Sequence, residues 1–276
     1  MKALIFRSLF GAALGLWSGG CGTQYADPLR ANQGDGNGEA GATGAAGAPN
    51  MSDGFSCVQE PVQVFDGANF GTIMRLVHDD FTIEVWIKTA QSLAGTGAYV
   101  GNPILFADVP TIVADDFGAG LLNDKFQMTV GNPDTPVRST SNVTTDQWVH
   151  LAATRTRATG LVLVFVNGVL EGTGTGNTNT LTASPSMTIG GRADRDFFAG
   201  QMSDLRVWSS VRTQAEILEN MHHRLAGNEP GLVGYYRLDD ASGMQAQLKD
   251  ASPSLNHAVL DLPGTPVAAE PPVCGQ

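Results

Sequence analysis

This sequence has few basic residues. Its 276 residues include 16 Lys and Arg against 27 Asp and Glu, which gives a formal net charge of −11 at pH 7. Proteins that bind nucleic acid through its phosphates carry a basic surface, and the sequence has no basic stretch with interleaved aromatic residues. The composition therefore argues against nucleic acid as a partner. Acidity suits both solubility and cation binding, and composition alone does not decide between them.

The N-terminal apolar run is short. Ser8–Trp17 cannot span a bilayer as a permanent helix, and it is preceded by Lys2 and Arg7 and followed by small residues at positions 18–20. This order is typical of a secretory signal. Residues 1–20 are therefore predicted to be a signal peptide.

Cysteine is scarce, with three in the chain. Cys21 directly follows the small residues, as in a bacterial lipobox, and is predicted to carry lipid; the alternative is an ordinary secretory signal with an incidental cysteine. If Cys21 is lipidated, Cys57 and Cys274 remain as a pair in a compartment where disulfides persist, and we expect them to form one. The predicted location is the outer membrane or cell surface, through the lipid alone, with a periplasmic or secreted protein as the alternative.

The chain then divides into a linker and a domain. Residues 21–56 are rich in Gly and Ala and have no apolar periodicity, so we expect a flexible tether. Residues 57–276 are predicted to form one domain.

Strand patterns dominate the predicted domain. Phe81–Lys88 alternates strictly, and Leu161–Val166 is apolar on both faces, which favours a strand buried between layers. Asn167 and Gly168 follow as a hairpin turn. Further strands are expected at 62–65, 104–106, 117–122, 125–130, 148–154, 169–171, 187–189, 201–208, 231–237 and 258–260, with loops at 131–145 and 172–186, the second of them mobile.

One helix is predicted. Thr213 and Glu216 form a capping box. The apolar residues that follow have helical spacing, and Gly227 is a plausible end; the stripe is Ile217, Leu218, Met221 and Leu225.

These segments together resemble the bacterial laminin G-like, or concanavalin A-like lectin, domain family. The similarity lies in the order of several short motifs: VFDG (64–67), DFTIEVWIK (80–88), W-x-H (148–150), FVNG (165–168), IGG (189–191), FFAGQMSDLRVW (197–208) and EPGLVGYYRLDD (229–240). It implies an all-β jelly-roll β-sandwich with one short helix on the rim.

The resemblance implies binding more than catalysis. Glycoside hydrolases of this fold use paired carboxylates spaced as E-x-D-x-E or E-x-D-x-x-E, and this pattern is missing, since Glu84 has Trp86 and Lys88 as its same-face followers. No G-x-S-x-G turn marks a serine nucleophile. The predicted function is a binding module for a glycan or a cell-surface protein. The alternatives are a glycan hydrolase of this fold and a passive adhesion domain without a small ligand.

Two candidate sites follow. Trp86 and Glu84 lie on the outer face of their strand, where they either line a ligand groove or are covered by another element. For Ca²⁺, the resemblance points to Asp116, which precedes a strand, together with Asp194 and Asp196 in the IGG…F-x-G segment. Carboxylate oxygens are ligands that Ca²⁺ prefers.

Overall fold

Two eight-stranded antiparallel sheets form the domain. The computed structural model describes residues 60–67, 69–97, 101–109, 114–192, 196–239, 247–261, 267–269 and 273. The predicted signal peptide, the predicted linker, the predicted lipidation site Cys21 and the predicted Cys57–Cys274 disulfide lie outside these residues. Within them, no helix has the length and apolar character needed to cross a membrane.

The first sheet has the strand order β10-β9-β8-β3-β12-β1-β16, with β13 also paired to β12, and the second has the order β14-β15-β2-β11-β4-β5-β6-β7. The strands are β1 (Glu60–Asp66), β2 (Gly71–Met74), β3 (Phe81–Lys88), β4 (Asn102–Phe106), β5 (Phe117–Leu122), β6 (Lys125–Val130), β7 (Thr135–Arg138), β8 (Val149–Thr156), β9 (Leu161–Val166), β10 (Val169–Thr175), β11 (Ser186–Ile189), β12 (Ala199–Trp208), β13 (Leu232–Tyr236), β14 (Gln247–Leu248), β15 (Ala258–Leu260) and β16 (Val267–Ala269). The predicted all-β sandwich is confirmed.

The alternation of β3 determines how the first sheet packs. Phe81, Ile83, Val85 and Ile87 all face the core between the sheets, because successive side chains of a strand point to opposite faces. Both faces of β3 are nevertheless buried. Another segment of the chain must therefore pack on the outer face of this sheet.

The cover is the single described helix, α1 (Gln214–Asn220). Its capping box forms as predicted: Glu216 N donates to the Thr213 hydroxyl, and Thr213 N donates to the Glu216 carboxylate at 2.7 Å. Ile217 packs on Phe165 and Ala152 of the first sheet. The helix thus lies on the outer face of a sheet and not at the rim.

Side chains of the first sheet hold the segment that follows α1. The Trp86 indole N–H donates to the Met221 carbonyl at 2.7 Å. The Arg206 guanidinium donates to the carbonyls of Asn220 at 2.9 Å and His223 at 2.7 Å. An ending helix leaves such carbonyls without intrahelical partners. Because the sheet supplies the donors here, the helix ends at Asn220, and the expected continuation towards Gly227 is wrong.

Three other predictions differ from the structure. The expected loop at 172–186 is shorter, because β10 continues to Thr175 in its pairing with β9. Residues 131–145 were expected to be loop throughout, but β7 forms there and pairs with β6. Within the expected helical stripe, Leu218 is 44% exposed, and Leu225 packs with Trp208 and Tyr235 away from the helix. The short apolar sets in these segments are too small to specify a strand or a long helix on their own.

Candidate functional site

Trp86 and Glu84 are buried, and Met221 and His222 of the segment after α1 contact the Trp86 ring. Trp86 is 4% exposed and Glu84 is 1% exposed. Of the two interpretations of this face, the one with a covering element is confirmed, and the prediction that Trp86 and Glu84 form an open ligand-binding surface is wrong. The aromatic pair Tyr235 and Tyr236 is also fully buried.

Glu84 is the carboxylate at the centre of this closed region. It accepts from the Trp208 indole N–H at 2.7 Å, and its other oxygen lies 3.5 Å from His150 Nε2. Burial alone would raise the pKa of Glu84, but His150, Arg206 and the Trp208 N–H outweigh it and hold the pKa below its ordinary value. Glu84 therefore acts as an ionised structural acceptor.

The open polar surface lies at the rim where β3 begins. We call it the polar rim and define it by residues of five loops: Asp79, Asp80, Asp115, Asp116, Asn132, Asp134, Arg157, Asn177 and Asn179. These loops join β2 to β3, β4 to β5, β6 to β7, β8 to β9 and β10 to β11, and they meet because the strands that carry them end at the same edge of the sandwich.

A buried arginine organises the polar rim. The Arg155 side chain has 0% exposure, and its guanidinium donates to the carbonyls of Asp79 at 2.7 Å, Asn179 at 2.7 Å and Asn177 at 3.2 Å. Burial lowers the pKa of Arg155, and the carboxylates of Asp79 and Asp80 oppose this effect. Charge-assisted bonds of this kind are about twice as strong as neutral ones. Arg155 therefore fixes the 78–80 and 177–179 loops relative to each other.

Asp115 joins a third loop to these two. Its Oδ1 accepts from the Asn179 side-chain amide at 2.8 Å and from the Asn132 side-chain amide at 3.0 Å. The Asn179 amide holds the pKa of Asp115 below its ordinary value, with Asn132 and Asn177 adding to this effect against that of partial burial. Asn177 also donates to the Gly131 carbonyl. The rim is thus a connected set of hydrogen bonds.

This arrangement presents polar groups in fixed positions. Asn132 and Asn179 are exposed, and among the described residues no hydrogen bond uses their side-chain oxygens. Each side chain is oriented by the bond that its NH₂ group donates to Asp115. Amide oxygens and carboxylates held in this way can accept hydrogen bonds from the hydroxyls of a ligand.

The predicted calcium residues are only partly described. Asp116 precedes Phe117, whose ring lies 4.8 Å from that of Phe81 at the start of β3. Asp196 precedes Phe197, whose carbonyl accepts from Gln91, three residues after the end of β3. The structure therefore places Asp116 and Asp196 at opposite ends of this strand and does not bring them together. Asp194 lies outside the described residues.

A different carboxylate lies near Asp116. Partial burial and the charge of Asp116 raise the pKa of Asp134, on the loop between β6 and β7. In the described part of the chain, no group of three or more His, Cys, Asp or Glu side chains is arranged to hold a metal ion.

Most residues of this site were not predicted from the sequence. Arg155 occupies an inconspicuous position in a strand, and Asn177 and Asn179 lie in the segment expected to be a mobile loop. The repeated Asn and Thr residues at 177–180 were the one local indication of a polar surface. The arginine that orders them is 22 residues away and could not be assigned to them from spacing.

Comparisons with known proteins identify the family. Residues 64–218 match a laminin G-like family model, which is described as the concanavalin A-like lectin/glucanases superfamily. The chain belongs to this superfamily. The comparison with curated proteins finds no match.

Solved structures of this superfamily fold resemble the chain. A Bacteroides ovatus protein assigned as carbohydrate-binding has a TM-score of 0.62 and 21% identity over 78% of this chain and 62% of its own, so the chain spans less than two thirds of it. The Ruminococcus gnavus IT-sialidase CBM40 bound to α2,3-sialyllactose has a TM-score of 0.47 and 14% identity, covering 58% of this chain and 95% of that one. At 21% identity, the likeness to the Bacteroides ovatus structure concerns the fold alone.

Replacing Arg155 should disconnect the polar rim. Arg155→Met keeps the length of the side chain but leaves the three loop carbonyls without their donor, and we expect the free energy of unfolding to fall by at least about 2 kcal/mol. Arg157→Met is the matched control. This side chain is 46% exposed, and its contacts, an ion pair with Asp79 and a hydrogen bond to the Thr178 carbonyl, should together contribute below about 1 kcal/mol. Urea unfolding of both variants measures the difference. Equal stabilities would contradict the role given to Arg155.

Proposed function

We propose that this protein is a non-catalytic glycan-binding module and that the polar rim is where it holds sugar hydroxyls. The observation that carries the proposal is the exposed pair Asn132 and Asn179, oriented by Asp115 and tied through their loops to the buried Arg155. The assignment of the Bacteroides ovatus structure as carbohydrate-binding supports the same class of ligand.

Fixed polar groups suit this class of ligand. A sugar offers hydroxyls at set angles, and a protein that holds its acceptors in place before binding loses less conformational entropy on binding. Flexible side chains would have to be ordered at a cost of about 0.5–1.5 kcal/mol each. The hydrogen bonds at Asp115 remove much of that cost for the two asparagines.

The burial of Glu84 supports the non-catalytic part of the proposal. Retaining glycoside hydrolysis needs two carboxylates roughly 5 Å apart beside the scissile bond. On the outer face of the first sheet, Glu84 is buried and faces His150 and Trp208, where no sugar can reach it. A glycan hydrolase remains the alternative.

We further propose that the protein is exported and anchored to the outer membrane or cell surface through lipid on Cys21. The N-terminal sequence pattern supports this. Cys21→Ala should move the mature chain from the membrane fraction to the soluble fraction. Equal partition of the two forms between the fractions would rule out the anchor.

We also propose that the polar rim binds Ca²⁺. The observation behind it is that burial and the charge of Asp116 together raise the pKa of Asp134. Asp116 is itself buried, and one of its oxygens accepts from the Val109 amide at 3.0 Å. Carboxylate oxygens are ligands that Ca²⁺ prefers. A bound Ca²⁺ would relieve the repulsion between the two carboxylates.

A thermal melt tests the calcium proposal. At a hundredfold excess over Kd, Ca²⁺ should stabilise the wild-type domain by roughly 2.7 kcal/mol relative to a chelator control. Asp134→Asn should lose the shift, and Asp80→Asn, on the same rim, should keep it. A wild-type melting temperature that does not respond to millimolar Ca²⁺ would end the proposal.

A glycan array with and without Ca²⁺ tests the binding function. The protein should retain one class of oligosaccharide and leave it uncut. Asn179→Ala should weaken the affinity for this oligosaccharide roughly three- to tenfold, the worth of one hydrogen bond. Asn142→Ala is the matched control, because Asn142 is also exposed but lies beside Lys125 in the turn region at the other end of β6. Unchanged affinity in Asn179→Ala would place the site elsewhere.

A further inference from the structure

A cavity opens in the first sheet where two strands share one neighbour. β3 pairs with one edge of β12 along its length, and the other edge is divided between β1, from Ala199 to Met202, and β13, from Leu205 to Trp208. The two strands meet beside Asp204, whose amide donates to the Arg237 carbonyl at 3.1 Å. A cavity of about 330 Å³ lies at this junction. We call it the seam cavity; it is lined by Gln63, Arg237, Leu238, Asp239, Leu248, Lys249 and Ala251.

Arg237 differs from the other arginines that the structure describes. Each of the others bonds to a carboxylate, carbonyl or amide oxygen. Among the described residues, no hydrogen bond or ion pair engages the Arg237 guanidinium, and its Nε is buried without a partner. The guanidinium carbon of Arg237 lies 5.5 Å from the centroid of the Tyr235 ring. In a chain of net charge −11, a cation without a carboxylate partner is unexpected.

Of the residues that the structure describes, the carboxylates near the seam cavity are already engaged. Asp239 accepts from Arg224 at 2.7 Å. Asp204 pairs with Arg206 and accepts from the Tyr235 hydroxyl at 2.7 Å. Asp250 accepts from the backbone amides of Tyr235, Ser252 and Asn256. None of these acids is therefore available to Arg237, and Lys249 adds a second cation to the lining.

We propose that the seam cavity binds the carboxylate of an acidic sugar residue, with the Arg237 guanidinium as its main contact. A planar guanidinium matches a carboxylate through two parallel hydrogen bonds, and Leu238 and Leu248 offer an apolar wall to the ring carbons. This inference rests on the proposed glycan-binding function and adds the class of sugar. The cavity is a separate subsite from the polar rim.

Isothermal titration with an oligogalacturonate and its fully methyl-esterified form tests this, because the two differ in the carboxylate charge. The full chain should bind the acid at least tenfold more tightly than the ester. Arg237→Gln should weaken binding of the acid at least tenfold and leave binding of the ester unchanged. Arg138→Gln, the same change of charge on the exposed side chain of β7, should alter neither affinity more than twofold.

Three outcomes would overturn the proposal. The first is an Arg237→Gln variant that binds the acid as the wild type does. The second is a poly-glutamate peptide that binds as tightly as the acid and with the same dependence on Arg237, which would make the cavity a peptide site. The third is no binding of the acid to the wild-type protein; retention of neutral glycans on the array would then leave the proposed function standing, and their absence would remove both.

Discussion

The polar rim depends on one buried cation. The Arg155 guanidinium, fully removed from solvent, donates to backbone carbonyls of the loops at 78–80 and 177–179, and Asn179 passes the constraint on to Asp115 and its loop. Loops between strands are held weakly by their own contacts, since little apolar surface is buried there. A buried charge without its acceptors is costly. The loops and the arginine therefore stabilise one another. The exposed Asn132 and Asn179 are held in fixed positions as a result.

The outer face of the first sheet is closed to a ligand for a related reason. Trp86, Arg206 and Glu84 have the composition of a ligand groove, but their donors and acceptors are used by the segment after α1 and by Trp208 and His150. The helix thus occupies the surface that a ligand would need. We therefore propose recognition at the polar rim and at the seam cavity within the first sheet.

Much of the fold could be predicted from local patterns. The alternation in Phe81–Lys88, the Asn167 and Gly168 turn, and the Thr213 capping box are all determined by neighbours in sequence, and all are confirmed. The end of α1 could not be predicted, because donors on distant strands decide it. Arg155 and its loop partners could not be predicted either, since the strand order that joins them is a property of the whole sandwich. Family resemblance gave the architecture but not which loops meet.

The central claim is that the polar rim contacts the glycan. Amide hydrogen exchange, with and without an oligosaccharide that the array selects, tests it most directly, because protection reports where the ligand lies. Increased protection at 115–116, 131–134 and 177–179, and its loss in Arg155→Met, is the predicted result. Protection confined to α1 and the strands beneath it, with these loops unchanged, would contradict the account.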